Sequence, residues 1–245
     1  MENKTVFPCI RLGQGDLQLR VITCGDPARA EEIANILDHP VCLNRNREYH
    51  SFSGVWKGMP VSVVSHGVGC AGASMAFESV IKAGAKAIIR VGTCGGMQDG
   101  IDAGKIVIAT AACRDDGVTD KMLPPGYPAV CDTEIICALE ESARQKGIIF
   151  EKGIILTTAL LYPSLMGSQV KLYAKAGVKA LENEVAGLLV LAGIYGVKAG
   201  AILAADAKAF ELIDPADYHP EQVKVKEAVS TQIQIALDAL VKVKV

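Results

Sequence analysis

The chain has 245 residues, of which 50% are hydrophobic and 21% charged, and 25 basic against 27 acidic side chains give a net charge of −2. This composition is typical of a globular protein with enough chain for a sizeable core, and it excludes a disordered chain. The balanced charge argues against a surface built for nucleic acid or for a membrane. We therefore expect any anion site to be local.

Segments typical of strands and of helices alternate along most of the chain. The first predicted strand, residues 19–24, is stopped by Gly25. A helix over 28–37 follows, with Asp26 as its N-cap and Pro27 at the first helical position. Further strands are predicted at 49–52, 61–65, 87–91, 105–113, 148–158, 178–181 and 197–205, and helices at 72–83, 133–146, 168–176, 184–195 and 221–241. This alternation predicts a single α/β domain spanning 1–245.

Three features that can indicate another class of protein have ordinary explanations in this sequence. The eight cysteines form no C-x-x-C pair and no zinc-ligand spacing with the four histidines, so we expect mostly small buried thiols and no metal site. No apolar signal segment follows the first residues. The apolar run 185–205 contains Lys198 and four glycines, which favours a buried helix and strand over a membrane span. We expect a reducing, cytoplasmic location.

The first of four unusual strand exits carries Gly25 and, one turn into the following helix, Arg29. In α/β sheets, ligands bind beyond the carboxyl ends of strands. A helix N-terminus that follows a glycine exposes backbone N–H groups and the positive end of the helix dipole, which suits an anion. An ordinary N-cap with a solvated Arg29 explains the same residues equally simply.

The second exit, residues 67–72, has the pattern G-x-G-x-x-G between a predicted strand and a predicted helix. This is the local context of a dinucleotide site. Such a site needs an acidic residue about 20 positions further on, at the end of the next strand. That strand carries Arg90 instead, so close approach of a small ligand to the glycines is the favoured alternative.

The third exit has Arg90 near the end of an apolar strand, followed by Gly92 and Thr93. An arginine in that position needs a partner or a ligand, and its planar guanidinium beside a hydroxyl suits phosphate. The alternative is a structural arginine paired with a buried carboxylate such as Glu78 or Glu184.

The fourth exit combines Glu182, Asn183 and Glu184 at a helix start with Asp206 at the end of the following strand. Ionised carboxylates accept hydrogen bonds from vicinal hydroxyls, although matching of the helix dipole also explains two acidic residues there. Partial desolvation of Asp206 predicts a raised pKa, which suits acid chemistry near neutral pH.

Taken in order, these motifs resemble the hexameric nucleoside phosphorylases, the family that includes purine nucleoside phosphorylase and uridine phosphorylase. The sequence is most similar to the apicomplexan type of purine nucleoside phosphorylase. The resemblance extends from about residue 10 to about residue 210, and it rests on residues 25–29, 46–49, 65–69, 90–95, 127–130, 182–184 and 206.

The resemblance implies a three-layer α/β/α sandwich around a mixed, partly barrel-like β-sheet, assembled as a homo-hexamer (a trimer of dimers) with shared active sites. It implies phosphorolysis of ribonucleosides, chiefly 6-oxopurine nucleosides such as inosine and guanosine, to ribose 1-phosphate and free base. Inorganic phosphate is then the co-substrate, and no metal or organic cofactor is implied. No nucleic acid or membrane partner is expected.

The resemblance also implies roles for individual residues. Phosphate would be bound by Gly25, Arg29, Arg90 and Thr93, together with Arg47 from the neighbouring subunit. The ribose and the base would contact Cys9, Tyr162, Glu182, Asn183, Glu184 and Phe210. The catalytic residues would be Arg90, which orients the phosphate, and Asp206, which protonates the leaving purine.

Three positions depart from the family pattern. Asn183 stands where the family has a methionine against the ribose, Cys9 stands where relatives have a histidine, and residues 157–159 lack the acidic residue of the apicomplexan enzymes. The alternatives are a uridine phosphorylase, a nucleosidase that uses water, and a catalytically weakened nucleoside-binding protein. The Gln-x-Arg pair that reads uracil is missing after residue 163, and a nucleosidase has no use for three phosphate-directed arginines.

Overall fold

The computed structural model describes residues 5–162, 165, 167, 169–209 and 222–245. The strands are β1 (Val6–Phe7), β2 (Leu12–Gly13), β3 (Arg20–Cys24), β4 (Asp38–Asn46), β5 (Tyr49–Trp56), β6 (Met59–Ser65), β7 (Ala87–Gly96), β8 (Ile106–Asp115), β9 (Ala129–Val130), β10 (Phe150–Thr158), β11 (Ala180–Glu182) and β12 (Lys198–Lys208). The α-helices are α1 (Pro27–Asn35), α2 (Cys70–Lys82), α3 (Thr133–Gln145), α4 (Val170–Lys175), α5 (Val185–Tyr195) and α6 (Val223–Leu240). Phe210 lies outside the described residues.

Among the described residues, strands β3 to β12 form one mixed sheet, and β1 pairs with β2 separately. Five strands close into a ring in which β7 pairs with β11, β11 with β10, β10 with β8, β8 with β12, and β12 with β7. Strands β3, β6, β5 and β4 continue the sheet outward from β7. The partly barrel-like, mixed sheet predicted from the sequence is confirmed.

The helices cover the sheet on both faces, as a three-layer sandwich requires. Helices α2 and α5 pack together and share one cluster of buried apolar side chains with the sheet. Helices α1, α3 and α6 share a second cluster on the opposite face. Helix α5 is buried through most of its length, which explains why its sequence is apolar on all sides. The predicted three-layer arrangement is confirmed.

The predicted elements differ from the structure chiefly at strand ends. Strand β4 was not predicted, because it lies at the edge of the sheet, contains Pro40 and exposes many of its side chains, so it has no hydrophobic alternation. Strands β7 and β12 extend further than predicted, to Gly96 and Lys208.

The apolar run 185–205 is a helix followed by a strand, as predicted. No helix in the described part of the chain has the length and apolarity to cross a bilayer.

All eight cysteines are free thiols. Cys24, Cys70, Cys94 and Cys131 are buried. The expectation of mostly buried thiols is wrong for Cys42 and Cys137, which are exposed.

The sheet topology brings several strand exits to one edge. Strands β6, β3, β7 and β12 are mutually parallel neighbours, so their carboxyl ends lie side by side. The segments that follow β3 and β6 remain hydrogen-bonded, because the N–H of His66 donates to the Cys24 carbonyl (2.8 Å) and that of Gly67 to the Gly25 carbonyl (3.0 Å). This edge is therefore where the sequence motifs meet.

Candidate active site

A cavity of about 630 Å³ lies at this edge of the sheet. It brings together most of the residues that the sequence analysis singled out: Gly25, Arg29, Arg90, Thr93, Glu182, Asn183, Glu184 and Asp206. Other wall residues include Glu48 and the apolar Leu160 and Leu161. One cavity thus combines cationic, acidic and apolar walls, a combination typical of a small-molecule site.

Three of the other described candidates lie outside the lining of this cavity. Arg47 is exposed on the turn between β4 and β5, with a φ of 53°, whereas the next residue, Glu48, lines the cavity. Cys9 is half-buried beside the same turn, since the Asn46 amide donates to its carbonyl (2.6 Å). Tyr162 is 52% exposed. Their roles stay predictions.

The start of α1 forms one wall of the cavity. The Asp26 carboxylate accepts a hydrogen bond from the Ala28 N–H (2.8 Å), and Pro27 occupies the first turn, so the predicted N-cap is confirmed. Gly25 lets the chain pass close to the neighbouring strand exit, because a Cβ there would lie 3.2 Å from the Gly67 carbonyl oxygen. Arg29 is half-buried and lines the cavity beside this helix start.

Arg90 is the central charge of the site, and Gly92 makes room for it. Residues 90 and 92 lie on the same face of β7. A Cβ at Gly92 would lie 2.0 Å from Arg90 Nη1 and 2.7 Å from its Cζ, so the guanidinium lies directly over the glycine. The glycine that follows Arg90 in the sequence therefore gives the side chain its path towards the strand exit.

The described partners of Arg90 leave two of its guanidinium nitrogens without a hydrogen bond. Arg90 is 4% exposed and forms ion pairs through Nη2 with Glu184 and, at 3.4 Å, with Glu182. Among the described residues, none accepts a hydrogen bond from the buried Nε or Nη1 atoms. The structural pairing with Glu184 that the sequence left open is present, whereas Glu78 pairs with Lys82 instead (2.8 Å). Two buried N–H-bearing nitrogens of Arg90 are therefore unpaired among the described residues.

Glu182 fixes the start of α5. Its carboxylate accepts hydrogen bonds from the Thr157 hydroxyl (2.5 Å) and from the N–H groups of Glu184 (2.8 Å) and Val185 (2.9 Å). Burial raises the pKa of Glu182 to about 7, with Glu184 adding to the rise and Arg90 opposing it. The acidic residue at the helix start that the sequence suggested is thus a cap, and Thr157 is a partner that the sequence analysis missed.

Glu184 is the carboxylate that faces Arg90. It accepts a hydrogen bond from the Gly69 N–H (2.7 Å) as well as pairing with Arg90. Burial acts to raise the pKa of Glu184, but Arg90 and the Gly69 N–H outweigh it and hold the pKa below its usual value. The glycine pattern at 67–72 therefore binds a carboxylate of the protein itself, which leaves the dinucleotide alternative without that N–H group.

Asp206 reaches the cavity through an irregularity in β12. The register of β12 against β7 shifts between Ala205, which pairs with Cys94, and Ala207, which pairs with Gly95. Asp206 is the extra residue of this bulge, it is 5% exposed, and it lines the cavity. Bulges redirect side chains next to active sites.

Burial, with Asp206 as the next largest cause, raises the pKa of Cys94 well above its usual value, so this thiol stays protonated.

Two buried polar residues behind the cavity were missed by the sequence analysis. The His66 ring donates from Nδ1 to the Gly67 carbonyl (2.8 Å), and burial together with nearby Arg90 lowers its pKa to about 3, so the ring is neutral. The Gln232 amide of α6 donates to the Gly92 carbonyl (2.9 Å) and so contacts β7 two residues after Arg90. His66 lies within the motif range 65–69 but was given no role, and no local pattern marks Gln232.

Comparison with known proteins shows the family. The chain belongs to the Phosphorylase superfamily, whose family model matches residues 19–242. It is 36% identical over 224 residues to purine nucleoside phosphorylase of Plasmodium falciparum (isolate 3D7), covering 91% of this chain and 90% of that protein. It is also 36% identical over 202 residues to uridine phosphorylase of Thermococcus kodakarensis, covering 78% and 73% respectively.

A solved structure shows the same relationship. The crystal structure of purine nucleoside phosphorylase from Toxoplasma gondii in complex with immucillin-H matches with a TM-score of 0.93 and 35% identity, covering 99% of this chain and 98% of that one. The predicted family, fold class and enzyme class, a nucleoside phosphorylase, are confirmed by these similarities.

Replacing Gly92 with alanine should weaken binding of inorganic phosphate about 10- to 100-fold, because the new Cβ displaces the Arg90 guanidinium and a charge-assisted contact is lost. Titration calorimetry on the folded variant measures this. Gly126→Ala is the matched control, since a Cβ at that exposed loop position meets nothing within 4 Å. Unchanged phosphate affinity in Gly92→Ala would show that Arg90 does not bind the anion.

Proposed function

We propose that this chain catalyses phosphorolysis of purine ribonucleosides, chiefly 6-oxopurine nucleosides, by attack of inorganic phosphate on the anomeric carbon. One observation carries the proposal: buried Arg90, two of whose nitrogens have no hydrogen-bond partner among the described residues, shares a cavity with the bulged, largely buried Asp206. The cavity thus holds a group for a nucleophilic anion and a group for a leaving base. We further infer that residues 1–245 form a single domain.

Phosphate would occupy the side of the cavity formed by Gly25, Arg29, Arg90 and Thr93. The N-terminus of α1 points its dipole towards this side, Arg29 supplies formal charge, and Arg90 supplies N–H donors. Bidentate guanidinium contacts fix both the position and the orientation of a phosphate. Holding the nucleophile in line with the sugar is the main catalytic gain expected from these residues.

The ribose would lie against Glu184. Cleavage of a glycosidic bond passes through an oxocarbenium-like centre, whose positive charge an ionised carboxylate stabilises. The lowered pKa of Glu184 keeps it ionised, and its oxygens retain lone pairs for sugar hydroxyls after accepting from Gly69 and Arg90. Glu182 contributes by holding the backbone of Glu184 in place.

The base would lie between Asp206 and the apolar residues Leu160 and Leu161. A purine leaves more easily when its ring nitrogen is protonated, and a positioned carboxylic acid that supplies this proton is worth about 10²- to 10⁴-fold in rate. Uridine is the second candidate substrate, because the uridine phosphorylase of T. kodakarensis is as similar in identity as the purine enzyme of P. falciparum. Asp206 favours the purine.

The position of Arg47 supports a shared active site in a homo-hexamer built as a trimer of dimers. Glu48 lines the cavity of its own chain, while Arg47 points to the surface on the same turn, and Cys9 lies beside it. An arginine presented next to a cavity mouth can enter the cavity of a neighbouring copy. We infer that Arg47 contacts the phosphate, and Cys9 the sugar, of the adjacent subunit's site.

Hypoxanthine release from inosine should require inorganic phosphate and produce ribose 1-phosphate in equal amount, because the anion site supplies the nucleophile. The assay follows base release from inosine and from uridine, each with and without phosphate. Release without phosphate would indicate a nucleosidase, faster release from uridine would favour the second candidate, and tight binding without turnover would indicate a binding protein.

Replacing Asp206 with asparagine should lower kcat for inosine about 10²- to 10⁴-fold, because the amide cannot donate the acidic proton to the leaving base. Phosphate affinity should stay close to that of the unmodified enzyme. Asp102→Asn is the matched control, since Asp102 is exposed and pairs with Lys208 (3.0 Å). Wild-type turnover of inosine by Asp206→Asn would remove Asp206 as the acid.

Mixed oligomers of Arg47→Ala and Asp206→Asn chains should be more active than either parent. A site in an Arg47→Ala chain keeps Asp206 and receives Arg47 from an Asp206→Asn neighbour, so random pairing completes about a quarter of the sites. Co-expression with two affinity tags and an inosine assay on the doubly tagged fraction measures this. Activity no higher than that of the better parent would show that Arg47 does not cross between subunits.

A further inference from the structure

Asn183 is the one residue between the two carboxylates of the site, and unlike them it is only half-buried. The side chains of Glu182 and Glu184 are buried against α5 and Arg90. Asn183 is half-buried and lines the cavity. Asn183 is therefore part of the cavity wall and adjoins Glu184 in sequence, where the proposed function places the sugar.

The orientation of the Asn183 amide follows from its one hydrogen bond. Nδ2 donates to the Thr158 carbonyl (2.7 Å), at the end of β10. A carbonyl oxygen only accepts, so the nitrogen of the amide must be the atom on that side. Among the described residues, none donates to Oδ1. Asn183, a wall residue of the cavity, therefore has a neutral acceptor that is unpaired among the described residues, and its amide is held in place by a backbone contact on a strand.

Two adjacent residues thus offer acceptors to the cavity. Each carboxylate oxygen of Glu184 already accepts one hydrogen bond, from the Gly69 N–H or from Arg90, and each keeps a further lone pair. Asn183 adds the Oδ1 acceptor beside it. A vicinal diol brings two O–H donors on neighbouring carbons, which matches two acceptors on neighbouring residues, whereas a deoxy sugar brings one donor.

We propose that Asn183 is a specificity-determining residue whose Oδ1 accepts a hydrogen bond from one of the two vicinal ribose hydroxyls while Glu184 accepts from the other. This rests on the proposed function and adds a preference for ribonucleosides over deoxyribonucleosides. A neutral hydrogen bond at a half-exposed position changes an equilibrium or rate constant about 2- to 12-fold. That is the selectivity expected from Asn183 alone.

The test compares kcat/KM for inosine, 2′-deoxyinosine and 3′-deoxyinosine in the wild-type enzyme and in Asn183→Leu, which keeps a similar volume without an acceptor. For inosine, kcat/KM should fall about 2- to 12-fold, and for the analogue that lacks the contacted hydroxyl it should stay within twofold. The ratio of kcat/KM for inosine to kcat/KM for that deoxy analogue should fall by the same factor. Asn183→Ala should give the same change in ratio if the leucine variant does not fold.

Leu161→Ala is the control, because Leu161 lines the same cavity without a polar atom and should change all three substrates alike. Equal effects of Asn183→Leu on all three substrates, or none on any, would overturn the proposal while leaving phosphorolysis intact. Wild-type enzyme that releases no base from any nucleoside would overturn the proposed function, and this inference with it. Binding of inosine and the deoxy analogues without phosphate gives a second readout of the same contact.

Discussion

The rest of the site depends on a buried positive charge at the middle of β7. An unpaired guanidinium in the interior is costly, so the fold must supply carboxylates to Arg90, and it does so from Glu184 and Glu182 at the start of α5. Those carboxylates need donors in turn, which come from the first N–H groups of α5 and from Gly69 at the start of α2. One charge therefore ties β7, α2 and α5 to a common geometry.

The same network explains why a balanced chain can bind an anion. Glu184 largely neutralises the charge of Arg90. The nitrogens of Arg90 that the described residues leave unpaired would therefore offer an anion directed hydrogen-bond donors more than net positive charge. In our proposal, the charge of a bound phosphate would then be met by Arg29, the helix dipole of α1 and a further cation. In our proposal that cation is Arg47 of an adjacent copy, so the sharing of sites follows from electrostatic need. The net charge of −2 describes the surface as a whole and not this cavity.

Local sequence patterns predicted the alternating elements, the N-cap Asp26 and the strand exits, because each is encoded within a few adjacent residues. Strand β4 was not predicted, because an exposed edge strand needs no apolar alternation. Two contacts were not predicted, that of Gln232 with Gly92 and that of Thr157 with Glu182, because each joins residues far apart in the chain. Gly92 was noted in the sequence only as following Arg90, and the structure shows that it leaves room for the Arg90 guanidinium.

The bulge at Asp206 determines which face of the sheet this carboxylate reaches, and the position of Asp206 along β12 alone would not predict that face. Along β12, Ile202 and Ala204 belong to the core beneath α1, α3 and α6, while Ala201, Leu203 and Ala205 belong to the core beneath α2 and α5. Regular alternation would turn the next residue with Ile202 and Ala204, away from the face that carries Arg90 and Gly92. The register shift after Ala205 breaks that alternation and lets Asp206 line the same cavity as Arg90. Because β7 and β12 are hydrogen-bonded neighbours, one ladder positions both Arg90 and Asp206, so in our proposal a single pair of strands places the group for the anion and the group for the leaving base.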